Sequence, residues 1–193
     1  MQLSEIRTIV RYRLRETSAS VWTDAELTNE INIAQRYVAS MVNAKYMPEI
    51  LTIDSSQTTV SGTSEYTLPS NFLKFAGYTN IGSSLYKAFD DPVEAYRISF
   101  LSANDIDADN KIVWAANNKL NVHPTPSSNG DTIKIVYVKV PDELVNDSDE
   151  ADLNDTLLDF VIDIAASNAL KKTEPEKAYA LLQSVMAKMK GYL

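Results

Sequence analysis

Three arginines and a long run of carboxylates are the residues of this chain whose types and spacing carry chemistry, and that chemistry is ion pairing. Arg7, Arg11 and Arg15 stand four residues apart in "MQLSEIRTIVRYRLRE", so a helix there lines them along one ridge. Like charges at that spacing repel slightly in an isolated helix. Something acidic therefore faces them, within the chain or across an interface. From Pro141 to Leu170 there are nine acids (Asp142, Glu143, Asp147, Asp149, Glu150, Asp152, Asp155, Asp159, Asp163) and no base. Taken alone, such a run reads as a solvated linker entering a solvated helix face.

Other chemistries find less support. The single histidine, His123 in "NVHPTP", ends a strand beside Pro124, and a lone imidazole without a defined partner is not an acid–base site. Asp105, Asp107 and Asp109 occupy the first, third and fifth positions of a calcium loop. The sixth is Asn110 rather than glycine, the twelfth is Ala116 rather than glutamate, and the stretch leads into a strand, so a polar turn is the better reading. There is no cysteine, which removes disulfides, thiol catalysis and thiolate metal sites. Walker A, G-x-G-x-x-G, G-x-S-x-G and H-E-x-x-H motifs are absent. No pair of carboxylates stands out as a glycosidase couple. The arginine ridge beside a second helix invites comparison with a helix-turn-helix. The linker is longer than the usual tight turn, and Glu26 and Glu30 would meet phosphates, so DNA readout is not expected. No cofactor or metal is expected.

The elements that position these charges can be read from local signals. The first helix is expected from about Leu3 to Glu16, with Leu3, Ile6, Val10 and Leu14 as its apolar stripe. In "VWTDAELTNEINIAQRYVASMV", Thr23 and Glu26 make a capping box, and Trp22 and Leu27 make a hydrophobic staple. Leu27, Ile31, Ala34, Val38 and Met41 continue that helix's apolar face, and the short "TSAS" linker makes the two helices an antiparallel hairpin. The period then switches to two. "ILTIDSSQTTV" and "SEYTLP" read as strands flanking a turn at Gly62, "NFLKFAGYTNIGSSLYKAF" as a hairpin, "KIVWAANNKLNVHP" as a hairpin turning at Asn117-Asn118, and "DTIKIVYVKV" as an alternating strand. Asp91-Pro92-Val93-Glu94 opens a short helix running to about Leu101. A third long helix carries Leu153, Leu157, Leu158, Val161, Ile164 and Ala165. A fourth opens on a capping box at Thr173 and Glu176 and carries Ala178, Leu181, Leu182, Val185, Met186 and Met189.

The expected fold is therefore α+β: a four-helix bundle, two helices from each end of the chain, with an inserted antiparallel β-domain of six or seven strands. The expected divisions are residues 1–48, 49–141 and 142–193. With 193 residues the chain can bury a full core, and no apolar run is long enough to span a membrane. The amphipathic N-terminus lacks the apolar region of a signal peptide. Net charge is -8, from 26 acids and 18 bases, while residues 1–50 are balanced. An acidic chain is poorly suited to wrapping nucleic acid, where affinity comes from lysine and arginine on phosphates. Tyr66, Phe72, Phe75, Tyr78, Tyr86, Trp114 and Tyr137 make the β-region aromatic. Most suit a core, and some suit an interface anchor.

Read in order, these segments resemble a known family. "WTDAELTNEINIAQRYVA" resembles the second helix of head-to-tail adaptor (connector) proteins of tailed bacteriophages, those of short-tailed phages in particular. "YTLPSNFLKFAGY" resembles their strand leading through Leu-Pro into a hydrophobic strand. "IKIVYVKVPDEL", followed by acids and "LLDFVIDIAASNALKKTEPEKAYALL", resembles their last strand, acidic linker and two closing helices. The resemblance covers nearly the whole chain. It implies no enzymatic activity and no cofactor. It implies a structural virion protein at the head–tail junction, made in the host cytoplasm. Such a protein forms a homo-oligomeric ring, commonly twelvefold, beneath the portal protein. The ring extends the DNA channel and offers a platform for tail and nozzle proteins, and genomic DNA passes through without sequence-specific binding. Some members carry a long C-terminal tail into the portal, whereas this chain stops at "KMKGYL".

A ring needs complementary faces on each subunit. The candidate subunit and portal contacts are Arg7, Arg11 and Arg15 on one side, and Asp149, Glu150, Asp152, Asp155 and Asp159 on the other. Lys188, Lys190, Tyr192 and Leu193 form a short docking end. Two alternatives are another head- or tail-completion protein, and a carbohydrate- or protein-binding module using the aromatic β-region.

Overall fold

The Glu26 N–H donates to Thr23 Oγ1 at 3.2 Å and the Thr23 N–H donates to Glu26 Oε2 at 3.0 Å, so α2 (Asp24–Met41) opens on the expected capping box. This is seen in a computed structural model that describes residues 1–16, 21–99 and 111–193, the Tyr96 side chain excepted. The chain forms two compact units, Met1–Ile50 with Val140–Leu193, and Leu51–Lys139. The "TSAS" linker and the calcium-like aspartates Asp105, Asp107 and Asp109 lie outside the described residues.

In the helical unit, α1 (Leu3–Arg13) buries Leu3, Ile6 and Val10 and ends earlier than expected. Leu14 caps it and Arg15 turns left-handed at φ 58°, so Arg15 leaves the ridge. α2 buries Leu27, Ile31, Ala34 and Val38 completely, while Met41, expected on that face, is 37% exposed. Each fully buried aliphatic side chain contributes about 1.5–3 kcal/mol. Two short 3-10 turns, Ala44–Tyr46 and Pro48–Ile50, follow. After the acidic segment, α4 (Asp155–Leu170) starts at Asn154, whose side chain accepts the Leu157 N–H at 3.2 Å. α5 (Pro175–Met189) starts at Pro175 with Glu174 as its N-cap. The capping box expected at Thr173 is not formed. Proline presets the first helical φ and has no N–H to satisfy, so the helix begins there and Thr173 falls in the preceding turn.

The expected four-helix bundle with an inserted antiparallel domain is overturned. Among the described residues the chain is α+β with five α-helices and a seven-stranded, nearly closed, barrel-like sheet. In a four-helix bundle each helix shows one stripe to a shared core. Here twelve of the sixteen residues of α4 are buried, and α1, α2 and α5 all pack onto it, so α4 is a hub. A helix apolar on most faces belongs inside. The fifth helix, α3 (Pro92–Ser99), lies in the β-unit against β4 (Ser84–Phe89) and β5 (Ile112–Ala116), with Ala95 packed on Ile112 and Trp114. It opens as expected, the Val93 N–H donating to Asp91 Oδ1 at 2.9 Å.

The strands are β1 (Leu51–Thr58), β2 (Glu65–Thr67), β3 (Phe72–Ile81), β4 (Ser84–Phe89), β5 (Ile112–Ala116), β6 (Lys119–His123) and β7 (Thr132–Lys139), in the spatial order β1-β7-β3-β4-β5-β6-β2. The hairpins turn where expected: Ile81 faces Ser84 across Gly82-Ser83, and Ala116 faces Lys119 across Asn117-Asn118, both asparagines at positive φ. That is the backbone of a two-residue type I′ turn. The sheet is not purely antiparallel, because β4 and β5 pair in parallel. Parallel neighbours need a crossover, and the chain between them contains α3. The inward residues Tyr66, Phe75, Tyr86, Leu120, Ile135 and Tyr137 belong to one core. The edges β1 and β2 are bridged by a side chain. Gln57 Nε2 donates to the Thr67 carbonyl at 2.6 Å, and Gln57 Oε1 accepts the Thr67 N–H at 3.0 Å. A carboxamide carries the donor and acceptor of a peptide group, so it stands in for a strand pair at the seam. A register shift in β1 between Asp54 and Gln57 precedes this contact.

Candidate assembly surface

The arginine ridge has its acids within the chain. Arg7 pairs with Asp147 through Nη2, and its Nη1 lies 3.7 Å from Asp24. Arg11 reaches Asp24 at 2.7 Å, Glu16 at 2.8 Å and the Trp22 carbonyl at 2.9 Å. Glu16 Oε1 also accepts the N–H groups of Val21 and Trp22, at 2.6 and 3.1 Å. The end of α1 and the start of α2 are thus tied through one carboxylate and one guanidinium. The hydrogen bond from Arg11 holds the Asp24 carboxyl below its ordinary range, with Arg7 adding to the effect. Isolated surface ion pairs are worth about 0–1 kcal/mol, but here both guanidiniums are largely covered and share partners. Arg15, exposed and off the helix, makes no ion pair among the described residues.

The acidic segment is not a free linker. Leu3 N–H donates to the Asp149 carbonyl at 2.9 Å, Ser4 N–H to the Asp147 carbonyl at 3.2 Å, and Ala151 N–H to the Met1 carbonyl at 3.1 Å. Glu150 bridges Gln2 through the backbone while its side chain stays exposed. Asp149 Oδ2 accepts the N–H groups of Val145 and Asn146 at 2.8 and 2.7 Å, and these bonds lower its pKa. Asp152 Oδ2 accepts the Asp142 N–H at 2.9 Å. Leu144, 2% exposed, anchors the segment between the buried Pro141 and Leu153. The buried Asn32 side chain grips its backbone from both sides, donating to the Leu144 carbonyl at 2.9 Å and accepting its N–H at 3.0 Å. Gln35 Nε2 donates to the same Asn32 oxygen at 3.2 Å.

Of the predicted contact residues, the structure brings Arg7 and Arg11 onto acids of this chain and uses Asp149 and Asp152 to shape the acidic segment. Asp155 and Asp159 stay exposed, one turn apart on α4, without an ion pair among the described residues. At the other end, Tyr192 is packed rather than displayed. Its ring meets Tyr46 at 5.0 Å and Phe160 at 5.4 Å, and its carbonyl accepts the Asn43 N–H at 2.7 Å. Lys188 Nζ lies 3.9 Å from Asp163, whereas Lys190 and Leu193 are exposed.

Sequence reasoning missed Asp163 with Arg13. Asp163 is buried in the hub helix, and Arg13 Nε reaches it at 3.0 Å. The signal was an acid inside the apolar run "LLDFVIDIAAS", since a buried carboxylate demands a partner. It also missed Asn32, for which a lone leucine within "DELVNDSDE" was the only hint. Of the aromatics, Tyr66, Phe75, Tyr86, Trp114 and Tyr137 are buried, Phe72 is half-buried and Tyr78 is exposed. His123 Nε2 is buried with no hydrogen-bond partner among the described residues, and burial lowers the imidazole pKa. Among the described residues no group of three acids or histidines is placed to hold a metal, and no helix is long and apolar enough to cross a membrane.

The molecule thus has charge networks that brace helices and shape a docked segment. A sequence model of the SU10 adaptor protein family matches residues 1–192, and the chain belongs to that family of phage adaptor proteins. No curated protein matches it.

Proposed function

We propose that the protein is a structural, non-enzymatic component of the virion, a head-to-tail adaptor whose copies form a twelvefold ring beneath the portal protein. The ring extends the DNA channel and carries the tail and nozzle proteins. Family membership along the whole chain is the observation that carries this reading. The helical unit supports it: α1, α2, α4 and the acidic segment are tied together by covered ion pairs and buried amides, as a brace loaded by neighbours requires. Because Arg7, Arg11, Asp149 and Asp152 are engaged at home, the charged candidates left for contacts beyond the chain are Arg15, Glu150, Asp155 and Asp159. Lys190 and Leu193 are the exposed part of the docking end. Opposite charges on separate faces fix register and speed encounter. The net charge of -8 keeps DNA from sticking as it slides.

Light scattering of the chain alone and with the portal protein of the same genome tests the reading. One chain added per portal subunit is expected. No association at any salt concentration refutes portal docking.

A further inference from the structure

The helical unit carries an apolar feature that neither its core nor its ion pairs use. α2 has a second stripe, Ile33, Tyr37 and Met41, each 37–44% exposed and one turn apart. A helix apolar on two faces is normally covered on both. Ile33 and Tyr37 line a groove of about 450 Å³ together with Ile164 of α4 and Leu182 of α5. Tyr179, one turn before Leu182, is 66% exposed. Glu30 and Lys171 stand on the rim; Lys171 donates to Asn168 Oδ1 at 2.7 Å, and Glu30 makes no ion pair among the described residues.

The chain also carries a piece that matches this groove. Tyr12, in the last turn of α1, is 77% exposed, more than any other large apolar side chain among the described residues. Arg15 lies beside it, at the same surface depression, and makes no ion pair among the described residues. An aromatic knob beside a cation that is unpaired among the described residues complements a largely apolar groove whose rim offers the Glu30 carboxylate. Knob and groove consist of different residues, so the contact is heterologous and can repeat from copy to copy. We infer that the Ile33/Tyr37/Leu182 groove of one copy receives Tyr12 of a second copy, with Arg15 facing Glu30. The inference rests on the ring reading for its setting and names the surface that joins the copies.

The native chain has no cysteine, so single introduced thiols report one contact. Thr8→Cys lies one turn before Tyr12, and Asn29→Cys one turn before Ile33; both positions are exposed. The two full-length variants are mixed, with and without portal protein, and treated with a short bis-maleimide. A covalent dimer is expected from the mixture at least about tenfold above either variant alone, a difference on the order of 1.4 kcal/mol. Adding Tyr12→Ala to the Thr8→Cys chain abolishes it. Arg15→Glu lowers it several-fold, and Glu30→Arg on the other chain restores it. A mixture that gives no more dimer than the single variants overturns the inference. Portal binding without the cross-link removes the groove and leaves the ring reading standing. The cross-link without portal binding does the reverse.

Discussion

Replacing Asn32 with alanine is the sharpest test of how the acidic segment is held. The change removes the donor to the Leu144 carbonyl and the acceptor of the Leu144 N–H, and it takes the partner from Gln35 Nε2. Gln35 Oε1 has no hydrogen-bond partner among the described residues, so the amide beside Asn32 is already under-satisfied. If the segment stays in place, two buried peptide groups go unsatisfied, at about 1–3 kcal/mol each. If it lifts away, those groups reach water but Leu144 loses its burial, at about 1.5–3 kcal/mol. The molecule takes the cheaper route, so the expected loss is about 2–3 kcal/mol, with the segment released rather than strained. Urea unfolding followed by helical circular dichroism gives the first quantity, and amide exchange at Leu144 gives the second. Arg36→Ala is the control: among the described residues its one ion pair is a 4.0 Å approach to Glu143 between exposed side chains, worth less than about 0.5 kcal/mol. A loss under about 0.5 kcal/mol for Asn32→Ala, with Leu144 exchange unchanged, would refute the claim that this amide pins the segment.

The carboxyls of Asp24 and Asp149 are held below their ordinary value of 3.8, first by the Arg11 hydrogen bond and by the Asn146 and Val145 N–H groups respectively. Near pH 4 the unfolded chain binds more protons at these sites, so their stabilisation is present above the ordinary value and lost as pH falls through the depressed one. Urea midpoints are expected to be flat above about pH 5 and to fall toward pH 3, with a shallower fall in Asp149→Asn. Gln57→Ala opens the barrel seam. Two hydrogen bonds at about 0.5–1.5 kcal/mol each predict a loss of about 1–3 kcal/mol and faster exchange at Thr67, and an unchanged Thr67 amide would show the seam is held otherwise. Gly82→Ala forces a left-handed φ of 57° on a side chain whose Cβ would lie 2.9 Å from Asp131 Oδ1. A loss of about 1 kcal/mol or more is expected, and a neutral result in thermal unfolding would mean the turn relaxes.

Much of this protein was legible in its sequence wherever a signal closes within a few residues. The Thr23–Glu26 box, the Asp91-Pro92 helix start, the Asn117-Asn118 turn and the inward alternation of Ile133, Ile135 and Tyr137 depend only on backbone geometry and side-chain period. The Thr173 box failed because Pro175 imposed a stronger local constraint. Even the adaptor family was readable, because the order of such segments survives in the linear chain. What the sequence could not decide is which surfaces meet. Arg7 finds Asp147 at a separation of 140 residues, and Asn32 finds Leu144 at 112. β4 lies parallel to β5, α4 becomes a hub rather than one stave of a bundle, and Gln57 spans the seam between strands at opposite ends of the sheet order. These outcomes follow from burial and pairing summed over the whole molecule: apolar faces choose partners by shape, and each enclosed charge or amide must then find its complement in three dimensions.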